Sequence, residues 1–428
     1  MDPTSKVPSN TENKEQEKPK KAWANLFEAQ SRYFDNIICL KEMVGTVSPI
    51  LTTKDKERLQ RINEIKSKSE KFKSGESNVS YEEYKELLDH VRKIRKSDNM
   101  FRHSILTLIV SRYDEFLSDI LRAAYFQNPS WLKSSDRKIS HREVLELESL
   151  ESFKTSLIEK EIDQLMRDSH LEQIRFLDEK LKLGIAENYK GFSDFLEITE
   201  RRNLFVHTGG IVSPSYMGNC KKMAITIDSK AKEGVRLGAP DKYLQKAFDC
   251  FYEISVRICQ AVSRRLFPDC YEAADRFLNN RGVDLLLEGN TELAEKIFTY
   301  ALSIPEHLRS KGDLPYHFII NLCIAEKRLG KNFKERLDKT NWSPFHPKYH
   351  FAIAVLEDRF SEAAKLMQGE SVKTQLKPQT FKEWPLLTEF VKSREFLDSY
   401  HSTYGKDFNE AMVDDVKIEI REQKRQLA

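Results

Sequence analysis

Two stretches constrain this chain more than any other: Met100 to Tyr125 and Asp241 to Phe267. In the first, Ile105, Leu106, Leu108, Ile109, Tyr113, Phe116, Leu117, Ile120 and Leu121 cover more than one face of a helix. A helix that is apolar on several faces must be enclosed by others, so it belongs at the centre of a bundle. The second stretch has the same texture. Asn128-Pro129-Ser130 stops the first and Pro268 stops the second. Glycine and proline are scarce, at 15 and 14 of 428 residues, which favours long helices over turn-rich sheets. The expected fold class is all-α.

Residues 1–22 are rich in Lys, Glu, Ser, Asn and Pro, with almost nothing apolar, and read as a disordered tail. Helical spacing begins at Ala22, with Leu26, Phe27, Tyr33, Phe34, Ile37, Ile38 and Leu40. Segment 55–73 follows as a marginal, exposed helix and 81–95 as another amphipathic one; 23–98 is assigned as accessory helices, ahead of the segment that carries the family resemblance given below. Further helices are expected at 141–166, at 170–183 and at Phe192 to His207. The alternation of Met223 to Asp228, with Val235-Arg236-Leu237, can form a small β-hairpin beside the bundle. The bundle is assigned to 99–270.

Beyond Pro268 the texture changes. Ala294, Phe298 and Ala301 recur at helical spacing, preceded by Gly282, Leu285 and Gly289 and followed by Pro305. Those positions resemble the small, large and turn positions of a tetratricopeptide repeat. Two weaker copies follow, in Asn321-Leu322-Cys323 with Leu329-Gly330, and in Ala352, Val355 and Ala364. The resemblance spans roughly 272–370, within a helical-repeat region assigned to 271–428. Arg281 stands where the family has leucine. A plain array of helical hairpins is the alternative.

Net charge is only +3, so a nucleic-acid surface would have to be a local patch. Six cysteines occur without a C-x-x-C pair or metal-ligand spacing. No apolar run approaches the roughly 18 residues of a membrane span. The start of the chain lacks a secretory pattern. These features predict a reduced, cytoplasmic protein without membrane partners.

Chemistry concentrates in residues 201–216, Arg-Arg-Asn-Leu-Phe-Val-His-Thr-Gly-Gly-Ile-Val-Ser-Pro-Ser-Tyr. Asn203 and His207 are four apart and share a helix face. Arg202 lies about 140° round from His207, within reach of a long side chain. Leu204, Phe205 and Val206 are expected to bury the other side, and Thr208-Gly209-Gly210 to end the helix. Arginine pairs with phosphate in a fork geometry, and histidine exchanges protons near neutrality. Spacing alone is weak, because Arg394 and His401, with six residues between them, also satisfy a bare pattern of an arginine followed by four to six residues and a histidine. A helix-end histidine, with Arg202 in an ion pair to Glu197 or Glu200, is the alternative. His346 and His350 are four apart, but no further ligand is placed to complete a metal site, and they read as a structural pair.

The stretch resembles the HEPN superfamily, whose signature is an arginine, usually a polar residue next, then a histidine four to six residues from the arginine. Arg202, Asn203 and His207 match it. Gly210, Val212 and Tyr216 match a Gly-x-Val and tyrosine found in many bacterial members. Arg201 also fits the spacing but lacks the adjacent amide. The resemblance covers about 99–267. It implies an all-helical, homodimeric endoribonuclease that needs neither metal nor cofactor and leaves 2′,3′-cyclic phosphate and 5′-hydroxyl ends. In that reading Arg202, Asn203 and His207 are catalytic, and Arg201 and Tyr216 contact the RNA. The setting it implies is bacterial toxicity or phage defence, with an antitoxin or sensor partner engaged through the repeats. The competing readings are a non-catalytic HEPN-like bundle that binds RNA or nucleotide, and an interaction scaffold acting through its repeats.

Overall fold

The computed structural model describes residues 10–73, 81–134, 149–343, 345–377 and 379–409. It divides into two units, Met1–Phe267 and Pro268–Ala428. The division falls at the proline that ends the second long apolar helix. The described residues are helical, with no named strand among them.

The first unit is built on α1 (Asn10–Lys73), α2 (Tyr81–Gln127), α3 (Leu150–Leu165), α4 (His170–Leu181), α5 (Phe192–Thr208), α6 (Pro214–Lys222) and α7 (Asp241–Leu266). Helix α2 is central and packs against α1, α3, α5 and α7. Tyr113, Leu117, Ile120 and Leu121 on α2 and Phe251, Ile254 and Ile258 on α7 are buried. Tyr113 meets Phe195 of α5 and Phe251 of α7 edge-on, each at 5.2 Å.

Several expectations need correction. Helix α1 begins at Asn10, inside the segment expected to be a disordered tail, and residues 1–9 lie outside the described part. Residues 23–98 are not accessory. Tyr33 of α1 meets Phe116 at a tilt, 4.6 Å between ring centroids, and donates to the Phe251 carbonyl at 3.2 Å, while Phe34 meets Tyr252 at 4.8 Å. No boundary falls at 98/99, because α2 runs through it: residues 96–99 contain no glycine or proline to break the helix. The helix expected at 141–166 is described from Leu150, where the Ser149 hydroxyl accepts from the Ser152 N–H at 3.0 Å; residues 141–148 lie outside the described part.

The expected hairpin between 223–228 and 235–237 is absent among the described residues. Residues 235–237 pair instead with the segment after α5, in one antiparallel bridge between Ile211 and Arg236. The Val212 N–H donates to the Val235 carbonyl at 2.9 Å, and the Leu237 N–H to the Gly210 carbonyl at 2.8 Å. The Gly-Gly turn brings the chain back alongside 235–237. Alternation alone could not choose that partner over 223–228.

In the second unit α8 (Tyr271–Leu287) and α9 (Thr291–Ser303) form a hairpin, followed by α10 (Leu314–Arg328), the five-residue α11 (Lys334–Asp338), α12 (Pro347–Leu356), α13 (Phe360–Gln368) and α14 (Arg394–Tyr404). Gly289 turns the first hairpin at φ +78. Gly282 lets the helices close: a Cβ there would lie 2.3 Å from Cζ of Phe298. Ala294, Phe298, Ala301 and Ala352 are fully buried, and Val355 and Ala364 nearly so. These are helical hairpins with small residues at the contacts. The partner of α10 is a single turn and a half, shorter than a full hairpin arm.

Candidate functional site

Helix α5 carries Arg201, Arg202, Asn203 and His207, and its sequence explains where each sits. Phe195, Ile198 and Leu204 anchor it in the core. It ends as the glycines require, with Gly209 at φ +59 and Gly210 at φ +91. These are left-handed conformations that glycine adopts without strain. Gly210 is doubly constrained, because a Cβ there would lie 2.8 Å from the Leu237 carbonyl oxygen. Arg236 donates to the Gly209 carbonyl and satisfies an end of the helix.

The two arginines diverge completely. Arg201 is 5% exposed. Its Nε donates to Glu197 Oε1 at 2.8 Å, its Nη1 to the Gly238 carbonyl at 3.2 Å, and its guanidinium lies 4.2 Å from the Tyr243 ring centroid. Glu197 also accepts from Tyr216 at 3.0 Å and Tyr243 at 2.6 Å. Burial works against the Arg201 cation, but Tyr243, Glu197 and Tyr216 outweigh it and hold its pKa above the ordinary value. Burial, then Glu197, pushes the Tyr216 hydroxyl far up. Arg201 and Tyr216, read from the sequence as RNA-contacting, are thus turned inward around Glu197. Tyr216 is 1% exposed because α6, capped by Ser213, packs on α5.

Arg202 points elsewhere. Its Nη2 donates to Asp114 Oδ2 at 3.1 Å, and the other oxygen of Asp114 lies 2.9 Å from His170 Nε2. The Arg202 side chain is 21% exposed, and its Nε is buried with no hydrogen-bond partner. The pairing of Arg202 with Glu197 or Glu200 does not form; Arg201 takes Glu197, and Glu200 accepts from Asn219 at 2.9 Å. Asn203 is half-buried and His207 exposed. Neither side chain has a hydrogen bond or ion pair among the described residues.

Asp114 and His170 were not singled out from the sequence. They lie 88 and 32 residues before Arg202, and only the crossing of α2, α4 and α5 unites them. The one local hint is a carboxylate directly after Tyr113, within a stretch of α2 that is apolar on several faces.

The other arginine–histidine pair is different. Arg394 and His401 lie on the surface of α14, each beside an aspartate: Arg394 at 3.6 Å from Asp398 and His401 at 3.9 Å from Asp407. His346 caps α12, its Nδ1 accepting from the Lys348 N–H at 3.2 Å. An open cavity in the first unit, lined by Arg175, Asp178, Tyr189, Phe192 and Ser193 among others, adjoins the N-terminal end of α5 and includes none of Arg202, Asn203 and His207. Three or more His, Cys, Asp or Glu side chains able to hold a metal together do not occur among the described residues. No helix among them is long and apolar enough to cross a membrane.

The outcome is an arginine with a buried, unmatched Nε–H, a carboxylate bridging that arginine to a histidine, a half-buried amide on the next residue, and a second histidine open to solvent one turn beyond that amide. Comparison with protein-family models, curated proteins and solved structures finds no match, so the chemistry of this cluster is argued from its geometry.

Proposed function

We propose that this chain is a metal-independent endoribonuclease of the HEPN type, acting as a homodimer through Arg202, Asn203 and His207. The observation that carries the reading is the division of labour between neighbouring arginines. Arg201 is locked into the core, while the Arg202 side chain is partly exposed on the helix that also carries an exposed, unpartnered histidine.

The chemistry follows from RNA itself. The 2′-oxygen attacks the adjacent phosphorus and loses its proton; the bond from phosphorus to the 5′-oxygen breaks, and that oxygen gains a proton. The products are a 2′,3′-cyclic phosphate and a 5′-hydroxyl. His207 takes one of these protons, a role worth about 10²–10⁴-fold for a well-placed group. Arg202 stabilises the added charge on the phosphorane. Asp114 holds the guanidinium in place and His170 holds Asp114, so both are positioning residues. Asn203 binds a phosphate oxygen or orients the imidazole. One histidine cannot stand on both sides of an in-line displacement, so His207 of a second copy delivers the other proton across a two-fold axis. The C-terminal helical hairpins serve a partner or sensor, and a bacterial toxin or defence role belongs to the same proposal.

The test is purified protein on single-stranded RNA in EDTA, with the termini identified. Cleavage to cyclic-phosphate ends, lost in His207→Ala while thermal unfolding is unchanged, is the expected result. Undiminished cutting by His207→Ala overturns the assignment. A second reading rests on Asp114, which offsets the Arg202 charge: a bundle that binds RNA or nucleotide without cutting it. RNA retained by wild type and His207→Ala alike, with intact termini throughout, would select that reading.

A further inference from the structure

The segment that closes α5 brings a cation to its end. The bridge between Ile211 and Arg236, with the bond from the Leu237 N–H to the Gly210 carbonyl, lays 235–237 along the chain just past the helix. From there Arg236 reaches back, and its Nη1 donates to the carbonyl of Gly209, two residues beyond His207. Glycine leaves room for the guanidinium, since a Cβ at 209 would lie 3.7 Å from Nη1. The head group is therefore held at the last turn of the motif helix.

Arg236 differs from the arginines around it in having no counter-ion. Arg201 has Glu197, Arg202 has Asp114 at 3.1 Å, and Arg102 of α2 has Asp98 at 2.8 Å and Asp241. Arg236 is exposed and has no carboxylate at ion-pair distance among the described residues; Glu233, exposed on the same segment, does not pair with it. The Gly209 carbonyl matches one of five N–H donors and leaves a full positive charge. That charge is felt nearby: burial first, then Arg236, lowers the pKa of His103, whose ring stacks on Phe205 at 3.8 Å. A permanently charged fork with donors to spare suits the paired oxygens of a phosphate. At about 100° per residue, Gly209 stands about 160° round the helix from His207. Arg236 and His207 thus address different parts of a strand passing the helix end.

We propose that Arg236 binds a phosphodiester of the RNA strand flanking the one that is cut, an inference that rests on the nuclease reading of α5. The contact is the same in bound and reacting RNA, so its loss raises KM and spares kcat.

Binding and cutting are measured separately on the full chain, with fluorescein-labelled single-stranded RNA in EDTA. Anisotropy uses the His207→Ala chain, and cleavage rates use the chain with His207 intact. Adding Arg236→Gln to the His207→Ala chain should weaken RNA about tenfold, the scale of one charged hydrogen bond. It should also make the fall of log K with log salt shallower by about 0.7, one phosphate contact on a single strand. Arg236→Lys, which keeps the charge, should restore that slope. With His207 present, Arg236→Gln should raise KM about tenfold at unchanged kcat. Unchanged affinity and slope in Arg236→Gln, whether or not its melting temperature falls, would mark a helix cap only and overturn the inference while the nuclease reading stands. A fall in kcat at constant KM would overturn it too. RNA bound but never cut by the wild-type chain would overturn the nuclease reading alone, and no binding by the His207→Ala chain would overturn both.

Discussion

Arg201 and Arg202 are adjacent and chemically identical, yet their replacement should have opposite consequences. Arg201 and Glu197 are 7% and 5% exposed as side chains, with guanidinium and carboxylate 2.7 Å apart. Removing Arg201 leaves the Glu197 charge in the core with only the Tyr216 and Tyr243 hydroxyls as partners, which costs up to about 3–5 kcal/mol. At about 2–4 °C per kcal/mol for a unit of this size, Arg201→Ala should lower the melting temperature of the first unit by up to about 6–20 °C. Arg202 and Asp114 are 21% and 30% exposed, and Asp114 keeps His170 after the arginine is gone. A pair this open is worth about 0–1 kcal/mol, so Arg202→Ala should shift melting by under about 4 °C. Calorimetry on both variants and wild type, beside the RNA assay, reads stability and activity separately. The double variant Arg201→Met with Glu197→Gln removes both charges and should be less destabilised than Arg201→Ala, a sign of coupling. Arg201→Ala melting within 2 °C of wild type but inactive on RNA, or Arg202→Ala unfolding, would refute the division drawn between them.

Four further expectations can be checked directly. Gly282→Ala should destabilise the second unit by about 1–3 kcal/mol despite alanine's better helix propensity, because its methyl meets the buried Phe298 ring; denaturant unfolding measures it, and Phe298→Leu in the same chain should relieve it. Phe34→Ala should cost about 3–5 kcal/mol in the first unit, against nearly nothing were α1 an appendage; the same measurement decides. His317 is depressed from its ordinary 6.5 to about 4, mainly by burial. A folded-state value below the unfolded one means stability is complete above about pH 6.5 and lost as pH falls toward about 4, by about 3 kcal/mol at about 1.4 kcal/mol per unit. Melting curves of the second unit should therefore be flatter over that window in His317→Gln. Finally, Arg202→Lys should not restore RNA cleavage, because lysine lacks the planar fork; activity near wild type would reassign its role.

What the residues determined alone was set by local physics. Helix periods, proline stops and the Gly209-Gly210 end are dictated within a few positions of themselves, so the all-α class, α5 and α7 were legible without a structure. The change of texture after Pro268, the small position at Gly282 and the aromatic position at Phe298 are read from the residues too, but that Gly282 and Phe298 meet was decided by the packing of α8 on α9. The shared face of Asn203 and His207 follows from helix geometry alone. Other matters depend on which helix lies across which. Nothing in the order Arg201-Arg202 says that the first faces Glu197, Tyr216 and Tyr243 and the second faces Asp114. A turn of about 100° between neighbours sends one guanidinium into the core and the other toward α2. Tyr216 looked available for RNA because the burial of its hydroxyl depends on α6 folding back onto α5. The Asp114–His170 contact joins residues 56 apart, and Arg236 reaches the Gly209 carbonyl only once 235–237 lies along 210–212. Periodicity is written along one chain, whereas the partner of a buried polar atom comes from another helix, and only the tertiary structure decides which.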